Sequence, residues 1–532
     1  MKNKLALGLI LTFGFNVLAP HALASEGKKL SDQIPYPFYE VQKSSEGKNN
    51  NLMVLNSGVA SLEKRLEIIR EAKKNIEVEY FIYAVDEASR LLTQELVNAA
   101  KRGVKVRILV DRSAAVFVLD EYYVKALQNV KKDNGDETDI TVKFYNGASL
   151  IRVSSINFRN HRKLISVDDQ VAITGGRNIE NDYFDLADDF NFLDRDVYIK
   201  GDIVPTLRKS FDKYFEHEIS EVPALPERPA LTVVQTVKRL GGKSKFTKER
   251  DNSQKISEYL AKMEKTKDFL TESQEDRDLK ARIGSIGQSI LSQKKVFSCP
   301  ELTYSTDAPG GNFLTRLKDA YSDHYRFLRK TLFDKLSDHD LTKVTIASPY
   351  MINNTFTKEL MNSLLERNID ITLYTNSLAS TDAVYVAANL YKDFTKWTSR
   401  GIKVFVHAGE HFDEGEYVLK PSLRDAMWGM HAKTQVYESQ NTSEVMIGTY
   451  NIDNRSNHYN SEMAIFCKGS PDITNEVKNS IDQRIDKSYQ LHNDRTATNR
   501  DGEEVSIYGA NEDSLIKMRL MALPSWIVKP LL

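Results

Sequence analysis

The stretch HRKLISVDDQVAITGGRN (161–178) returns in altered form as HAKTQVYESQNTSEVMIGTYN (431–451). His161 and His431 stand 270 residues apart, and Asp111 and Asn376 stand 265 apart. Between these points VEYFIYAV (78–85) is answered by VTIASPYM (344–351), and TQELVNAAKRGVKVRILVD (93–111) by TKELMNSLLERNIDITLYTN (357–376). A near-constant offset across several elements marks an internal duplication. Whatever one half of the 532-residue chain folds into, the other half must fold into as well.

The first half has a readable order. Leu62, Leu66 and Ile69 fall on one helical face, VEYFIYAV reads as a buried strand, and Leu92, Leu96 and Ala99 mark a second helix that Gly103 ends. VKVRILVD (104–111) and ITVKFYN (140–146) are further buried strands. Helices alternating with apolar strands imply an α/β class with a largely parallel sheet covered by helices. Five segments are expected: a leader at 1–24, a first half at 25–230, a polar helical connector at 231–300, a second half at 301–490 and a tail at 491–532.

Connector and tail each allow two readings. Ile256, Leu260 and Met263 give the connector a thin apolar stripe, and Lys238, Arg239, Lys243, Lys245, Lys248 and Arg250 form a basic cluster opposed only by Glu249. Such a cluster meets anionic lipid headgroups at about 1 kcal/mol per close charge, or is simply a solvated face. The apolar stretch LIKMRLMALPSWIVKPLL (515–532) either touches a membrane interface or packs on the protein.

Residues 1–24 have the three parts of a signal peptide: Lys2 and Lys4, the apolar run LALGLILTFGFNVLA, and Ala22-Leu23-Ala24 as a small-x-small cleavage site. The expectation is export, to the periplasm, a membrane surface or the medium. Cys299 and Cys467 are the two cysteines; export permits a bridge, and two buried thiols are the other reading. The formal net charge is −1, or −3 without the leader. That gives no electrostatic case for nucleic acid as a partner, although it leaves room for a local basic groove.

In a strand, side chains alternate, so His161 and Lys163 share a face, as do His431 and Lys433. An ammonium balances phosphoryl oxygens, and an imidazole is a nucleophile or proton carrier near neutral pH. One such pair is common. Two in a duplicated frame suit attack on a phosphodiester from one side and protonation of the leaving oxygen on the other. Each histidine needs an orienting acid. Matching RDVYI (195–199) to SEMAI (461–465) proposes Asp196, 35 residues after His161, and Glu462, 31 residues after His431, with surface carboxylates beside strands as the alternative. Asn178 and Asn451 either donate to phosphoryl oxygens or fix turns.

These residues resemble the signature of the phospholipase D superfamily, His-x-Lys-x4-Asp followed by Gly-Gly or Gly-Ser and Asn. His161, Lys163, Asp168, Gly175, Gly176 and Asn178 match it fully. His431, Lys433, Gly448 and Asn451 match it in the second copy, where Glu438 replaces the aspartate and the histidine–glycine gap is 17 residues in place of 14. The extra residues are expected to lengthen a hairpin around QNTSE, with Glu438 as a structural carboxylate. HRKLISVDDQVAITGGRNIENDYF, TLYTNSLASTD and GTYNIDNRSNHYNSEMAIF are most similar to the bacterial cardiolipin synthase branch. The resemblance implies a duplicated fold of two mixed β-sheets flanked by helices about a pseudo-twofold axis, with the site in the cleft between the halves. It implies a phosphohistidine intermediate and no metal or other cofactor. The implied activity is transfer of a phosphatidyl group between phospholipids at a membrane surface, from phosphatidylglycerol with or without phosphatidylethanolamine. Hydrolysis by a phospholipase D is the alternative, followed by a nuclease; a lipid-binding module with a decayed site and a phosphatase are further options.

Overall fold

The computed structural model describes residues 42–43, 49–112, 119–146, 158–238, 245–310, 327–409 and 419–509. The leader, the apolar stretch 515–532, Arg239 and Lys243 lie outside the described residues. The first half runs β1 (Asn51–Leu55), α1 (Gly58–Glu71), β2 (Asn75–Tyr80), α2 (Glu87–Lys101), β3 (Lys105–Asp111), β4 (Ile140–Tyr145), β5 (Leu164–Val167), β6 (Val171–Gly175), β7 (Asp196–Lys200) and α3 (Val204–Phe215). Ser57 caps α1 by accepting from Ala60 N, and Asp86 and Ser89 form a capping box on α2; each such cap is worth about 1 kcal/mol.

The connector departs from the helical expectation. β8 (Thr232–Lys238) and β9 (Lys245–Asp251) pair antiparallel and contain Lys238, Lys245, Lys248 and Arg250 of the basic cluster. Two helices follow, α4 (Ser253–Leu270) and α5 (Gln274–Gln293). On α4 the buried line is Tyr259, Thr266 and Phe269, while Leu260 of the expected stripe is 49% exposed. These helices cover the outer face of the first half: Asp276 pairs with Arg90 at 2.8 Å, and Lys280 with Glu95 at 2.9 Å.

The second half repeats the first as β10 (Glu301–Thr306), α6 (Phe327–Leu336), β11 (Leu341–Ala347), α7 (Thr355–Glu366), β12 (Asp370–Asn376), β13 (Lys403–His407), β14 (Lys433–Ser439), β15 (Ser443–Gly448), β16 (Met463–Lys468) and α8 (Pro471–Asp486). The strand order β4-β3-β2-β5-β6-β7-β1 is matched by β13-β12-β11-β14-β15-β16-β10. Each sheet is mixed, and so less parallel than the helix–strand alternation implied. β2, β3 and β4 pair in parallel, as do β11, β12 and β13, and the rest are antiparallel. The reason is connection length: β5–β6 and β14–β15 are joined by tight turns, which permit only antiparallel pairing.

The halves trade edges. Gln42–Lys43 pairs with β10, and Phe297–Ser298 pairs with β1. The boundary expected at residue 490 falls inside the second sheet, where Ser488–Leu491 pairs with β13 and with Ala497–Thr498. The sheets face each other across a core that includes Leu164, Val197, Ala432, Val436, Ile447 and Ile465. The same core holds Cys299 and Cys467, which are joined in a disulfide. No helix among the described residues is long and apolar enough to cross a membrane.

Candidate active site

Each histidine is delivered by a residue on a neighbouring strand end. The Asp111 carboxylate, at the end of β3, accepts from Asn160 N at 2.7 Å and from Arg159 Nη1 at 3.1 Å. Asn376, at the end of β12, binds Met430 through both backbone groups at 2.7 Å. The repeated Asp111 and Asn376 thus fix the residue before each histidine. The same segments then pair with the opposite half. His161 N donates to Ser461 O at 3.0 Å, and His431 N to Leu193 O at 2.8 Å. Phe190–Leu193 and Met427–Met430 form a short parallel ribbon between the halves.

This exchange sets the acids across the interface. His161 Nδ1 lies 2.9 Å from Glu462 Oε2, and His431 Nδ1 lies 2.7 Å from Asp194 Oδ2. The sequence pairs Glu462 with His431 and Asp196 with His161; in the structure Glu462 serves the other histidine and Asp196 bonds to neither. The β6–β7 register places Gly175 opposite Asp196, and β15–β16 places Gly448 opposite Ala464. Asp194 is therefore the counterpart of Glu462, two residues earlier than the matched strands suggested. Asp196 instead accepts from Ser61 Oγ at 2.7 Å, Arg65 Nη2 at 2.9 Å and Arg177 Nη1 at 3.2 Å. The second glycine of the Gly175–Gly176 pair also has a physical reason: a Cβ on Gly176 would stand 2.1 Å from Asp194 Oδ1.

His161, Lys163, His431 and Lys433 are brought together and buried. Burial pushes the His161 pKa down to about 4, with Lys163 and Lys433 adding repulsion against the pull of Glu462. Burial and Lys433 push His431 down to about 3. Both rings are thus neutral, with Nδ1–H donated to the acid and Nε2 as the nitrogen without a proton. Burial and the opposing lysine take Lys163 to about 7. Burial takes Lys433 to about 8, with Asp194 and Glu462 acting against it. Lys163 Nζ donates to His161 O at 2.8 Å, and Lys433 Nζ to His431 O at 2.6 Å. Two lysines held beside two neutral imidazoles form a socket for an anion, whose charge would favour their protonated forms.

Glu462 is braced by Thr449 Oγ1, by Ser456 Oγ at 2.8 Å and by Asn460 Nδ2 at 3.4 Å. Asn178 does not stand free for a phosphoryl group: it donates to Tyr183 Oη at 3.0 Å and accepts from Ile82 N at 3.4 Å. Asn451 keeps a buried Oδ1 without a partner. Asp194, Tyr183, Thr449 and Ser456 escaped the sequence reading. Counting back from the glycine–strand pairing is the one signal that identifies Asp194.

Asp168 and Glu438 belong to the repeated motif but not to the site. Asp168 caps the far end of β5, accepting from Lys73 N and Lys74 N at 2.7 Å and Asn75 N at 2.9 Å. Glu438, near the far end of β14, receives Lys478 Nζ of α8 at 2.7 Å. Both carboxylates tie a strand end to its surroundings, and the extra length of glutamate reaches a helix in place of a backbone turn. Asp168→Ala is expected to destabilise the protein by about 1–3 kcal/mol through the unpaired amides. Glu438→Ala should have a smaller effect, and both variants should keep near-normal turnover per folded molecule. Denaturant titration beside turnover checks this; a large fall in turnover with unchanged melting would move the carboxylate into the chemistry.

Among the described residues no group of three or more His, Cys, Asp or Glu is arranged to hold a metal ion. The family model described as cardiolipin synthase, PLD-like domain, matches residues 66–218 and 337–485, the two halves just described. An uncharacterised protein of Helicobacter pylori strain J99 is 27% identical over 470 residues, which cover 85% of this chain and 83% of that one. Cardiolipin synthase C of Escherichia coli K12 is 24% identical over 465 residues, covering 84% of this chain and 87% of that one. The crystal structure of phosphatidylserine synthase from Haemophilus influenzae Rd KW20 shares the fold, with a TM-score of 0.56, 14% identity, and coverage of 90% of this chain and 95% of that one.

Proposed function

Since the chain belongs to the cardiolipin synthase, PLD-like domain family, we propose that it is a phosphatidyltransferase working through a phosphohistidine. The observation that carries the reading is the reciprocal pairing of each histidine with an acid of the other half, His161 with Glu462 and His431 with Asp194. Two imidazoles so oriented present two Nε2 atoms to one anion held by Lys163 and Lys433. In the first step the His161 Nε2 lone pair forms the P–N bond. The P–O bond to the departing alcohol breaks with its electron pair on oxygen, and His431 supplies the proton. In the second step an acceptor alcohol gives its proton to His431 and attacks phosphorus, and the pair of the breaking P–N bond returns to His161.

The similarity to cardiolipin synthase C over 84% of the chain supports phospholipids as donor and acceptor. Export to the periplasm or a membrane surface is part of the proposal. It rests on the leader-like residues 1–24 and is supported by the Cys299–Cys467 bridge, since such bonds persist in oxidising compartments. With vesicles of phosphatidylglycerol, with or without phosphatidylethanolamine, cardiolipin is expected as the main product by lipid mass spectrometry, in EDTA as in its absence. Phosphatidic acid as the main product across lipid mixtures would make water the acceptor and the reaction hydrolysis.

A further inference from the structure

The two histidines are oriented alike at Nδ1, but their Nε2 atoms are not treated alike. Nε2 of His431 lies 3.4 Å from Tyr183 Oη, while Lys433 Nζ lies against both ring nitrogens, 2.6 Å from Nδ1 and 2.9 Å from Nε2. Among the described residues no hydrogen bond reaches Nε2 of His161, although Lys163 and Lys433 alike donate to the carbonyl oxygen of their own histidine. The direction of the Tyr183 hydrogen bond is fixed by Asn178. Asn178 Nδ2 donates to Tyr183 Oη at 3.0 Å, which leaves the hydroxyl proton for His431. The Tyr183 ring stands edge-on to His431, 5.1 Å between centroids, and packs on Phe192 at 4.8 Å.

The second half places a different residue here. Tyr183 lies five residues after Asn178, and Ser456 lies five residues after Asn451. Ser456 does not reach the opposite histidine; its Oγ donates to Glu462 Oε1 at 2.8 Å and accepts from Asn451 N at 3.1 Å. The duplication is therefore broken at one position, and the break falls on the reactive nitrogen of one histidine.

Resting on the two-histidine reading above, we propose that Tyr183, set by Asn178, is a positioning residue that occupies Nε2 of His431 in the free enzyme, reserving that histidine for proton transfer and leaving His161 as the single nucleophile. A lone pair engaged by a hydroxyl is not free to attack phosphorus. When the phosphodiester anion binds between the lysines, His431 takes a proton from solvent, and the hydroxyl, free to rotate, turns from donor to acceptor. Lys433, Asp194 and Lys163 are the charged groups around His431, and Tyr350, hydrogen-bonded to Asp382, faces it from the loop after β11. Of the uncharged donors, Tyr183 is the one whose hydroxyl meets the nitrogen that reacts.

Tyr183→Phe removes that hydroxyl alone. Turnover is measured with phosphatidylglycerol and with the p-nitrophenyl ester of the same phosphatidyl group, whose leaving group needs no proton. Acid-quenched enzyme is mapped for label carried from the donor. The expected result is about a tenfold loss with phosphatidylglycerol and less than about twofold with the nitrophenyl ester. Accepting from the imidazolium is a charge-assisted bond and stronger than donating to the neutral ring, so loss of the hydroxyl makes the protonated ring harder to form. The reaction needs that protonated ring, so the basic limb of the pH profile moves to lower pH. Label appears on His431 beside His161. Asn178→Ala keeps the tyrosine ring, should give the same pattern at smaller size, and decides the matter if the phenylalanine variant does not fold. Equal losses with both donors, an unmoved pH limb and label confined to His161 overturn the proposal. Absence of label from both histidines of the unaltered enzyme overturns the phosphohistidine reading itself.

Discussion

A His161→Asn variant is expected to lose turnover by about six orders of magnitude, the scale on which removal of an enzyme nucleophile is felt. The loss should come without unfolding. The imidazole makes its hydrogen bonds to Glu462 and to Thr449 O, and Glu462 keeps Thr449, Ser456 and Asn460 after the ring is gone. His431→Asn should cost less, on the order of 10²–10⁴, because a proton carrier has partial substitutes in water. The pH dependence follows from the same environment. The nucleophile must be neutral, and burial and the two lysines hold its pKa at about 4. Activity of the free enzyme should therefore fall only as pH drops through about 4, not through the ordinary histidine value near 6.5. Lipid mass spectrometry for turnover and phosphopeptide mapping for the label check both statements. Label that persists on residue 431 in the His161 variant, with turnover down only tenfold to a hundredfold, would reverse the roles.

The duplication, the strands VEYFIYAV, VKVRILVD and ITVKFYN, and the four residues His161, Lys163, His431 and Lys433 are legible in the sequence, because each depends on local pattern and a constant offset. The rest depends on contacts between the halves, which no local pattern carries. That His161 takes its acid from residue 462 and His431 from residue 194 follows from a crossed backbone exchange, Asn160 with Ser461 and Leu193 with Met430. The motif carboxylates stand apart from the site for a simpler reason. Asp168 is seven residues from His161, and extended chain advances about 3.3 Å per residue, so it stands roughly 20 Å down the strand. The connector differs because a helical stripe confined to 256–263 says nothing of its first part, which pairs as a hairpin. Its second part buries Tyr259 and Phe269 and leaves Leu260 in solvent.

Asp194 and Asp196 lie two residues apart, both fully buried, and their conservative variants should fail in opposite ways. Asp194→Asn leaves the shape of the site intact, since Asp194 binds His431 Nδ1 and Arg195 N. Burial alone would raise the Asp194 carboxyl, but Lys433 and His431 outweigh it and hold the group ionised, well below the usual carboxylate range. An amide in that place offers either a donor to Nδ1, which turns the imidazole to the wrong tautomer, or a neutral acceptor that stabilises imidazolium poorly. Turnover should fall by about 10³–10⁴, as for the loss of an orienting aspartate elsewhere, with little change in melting. Glu462→Gln should act in the same way on His161, and the fall should then appear in formation of the phosphohistidine itself. Asp196→Asn removes the charge that holds Arg65 and Arg177. Breaking a buried ion pair from one side costs about 3–5 kcal/mol, so this variant should melt early while the folded fraction still turns over. Thermal denaturation and active-site-normalised turnover, measured on the three variants together, separate the cases. If Asp196→Asn keeps its stability and loses its chemistry while Asp194→Asn does the reverse, the orienting acid is the one sequence matching proposed and the cross-half pairing at His431 is wrong.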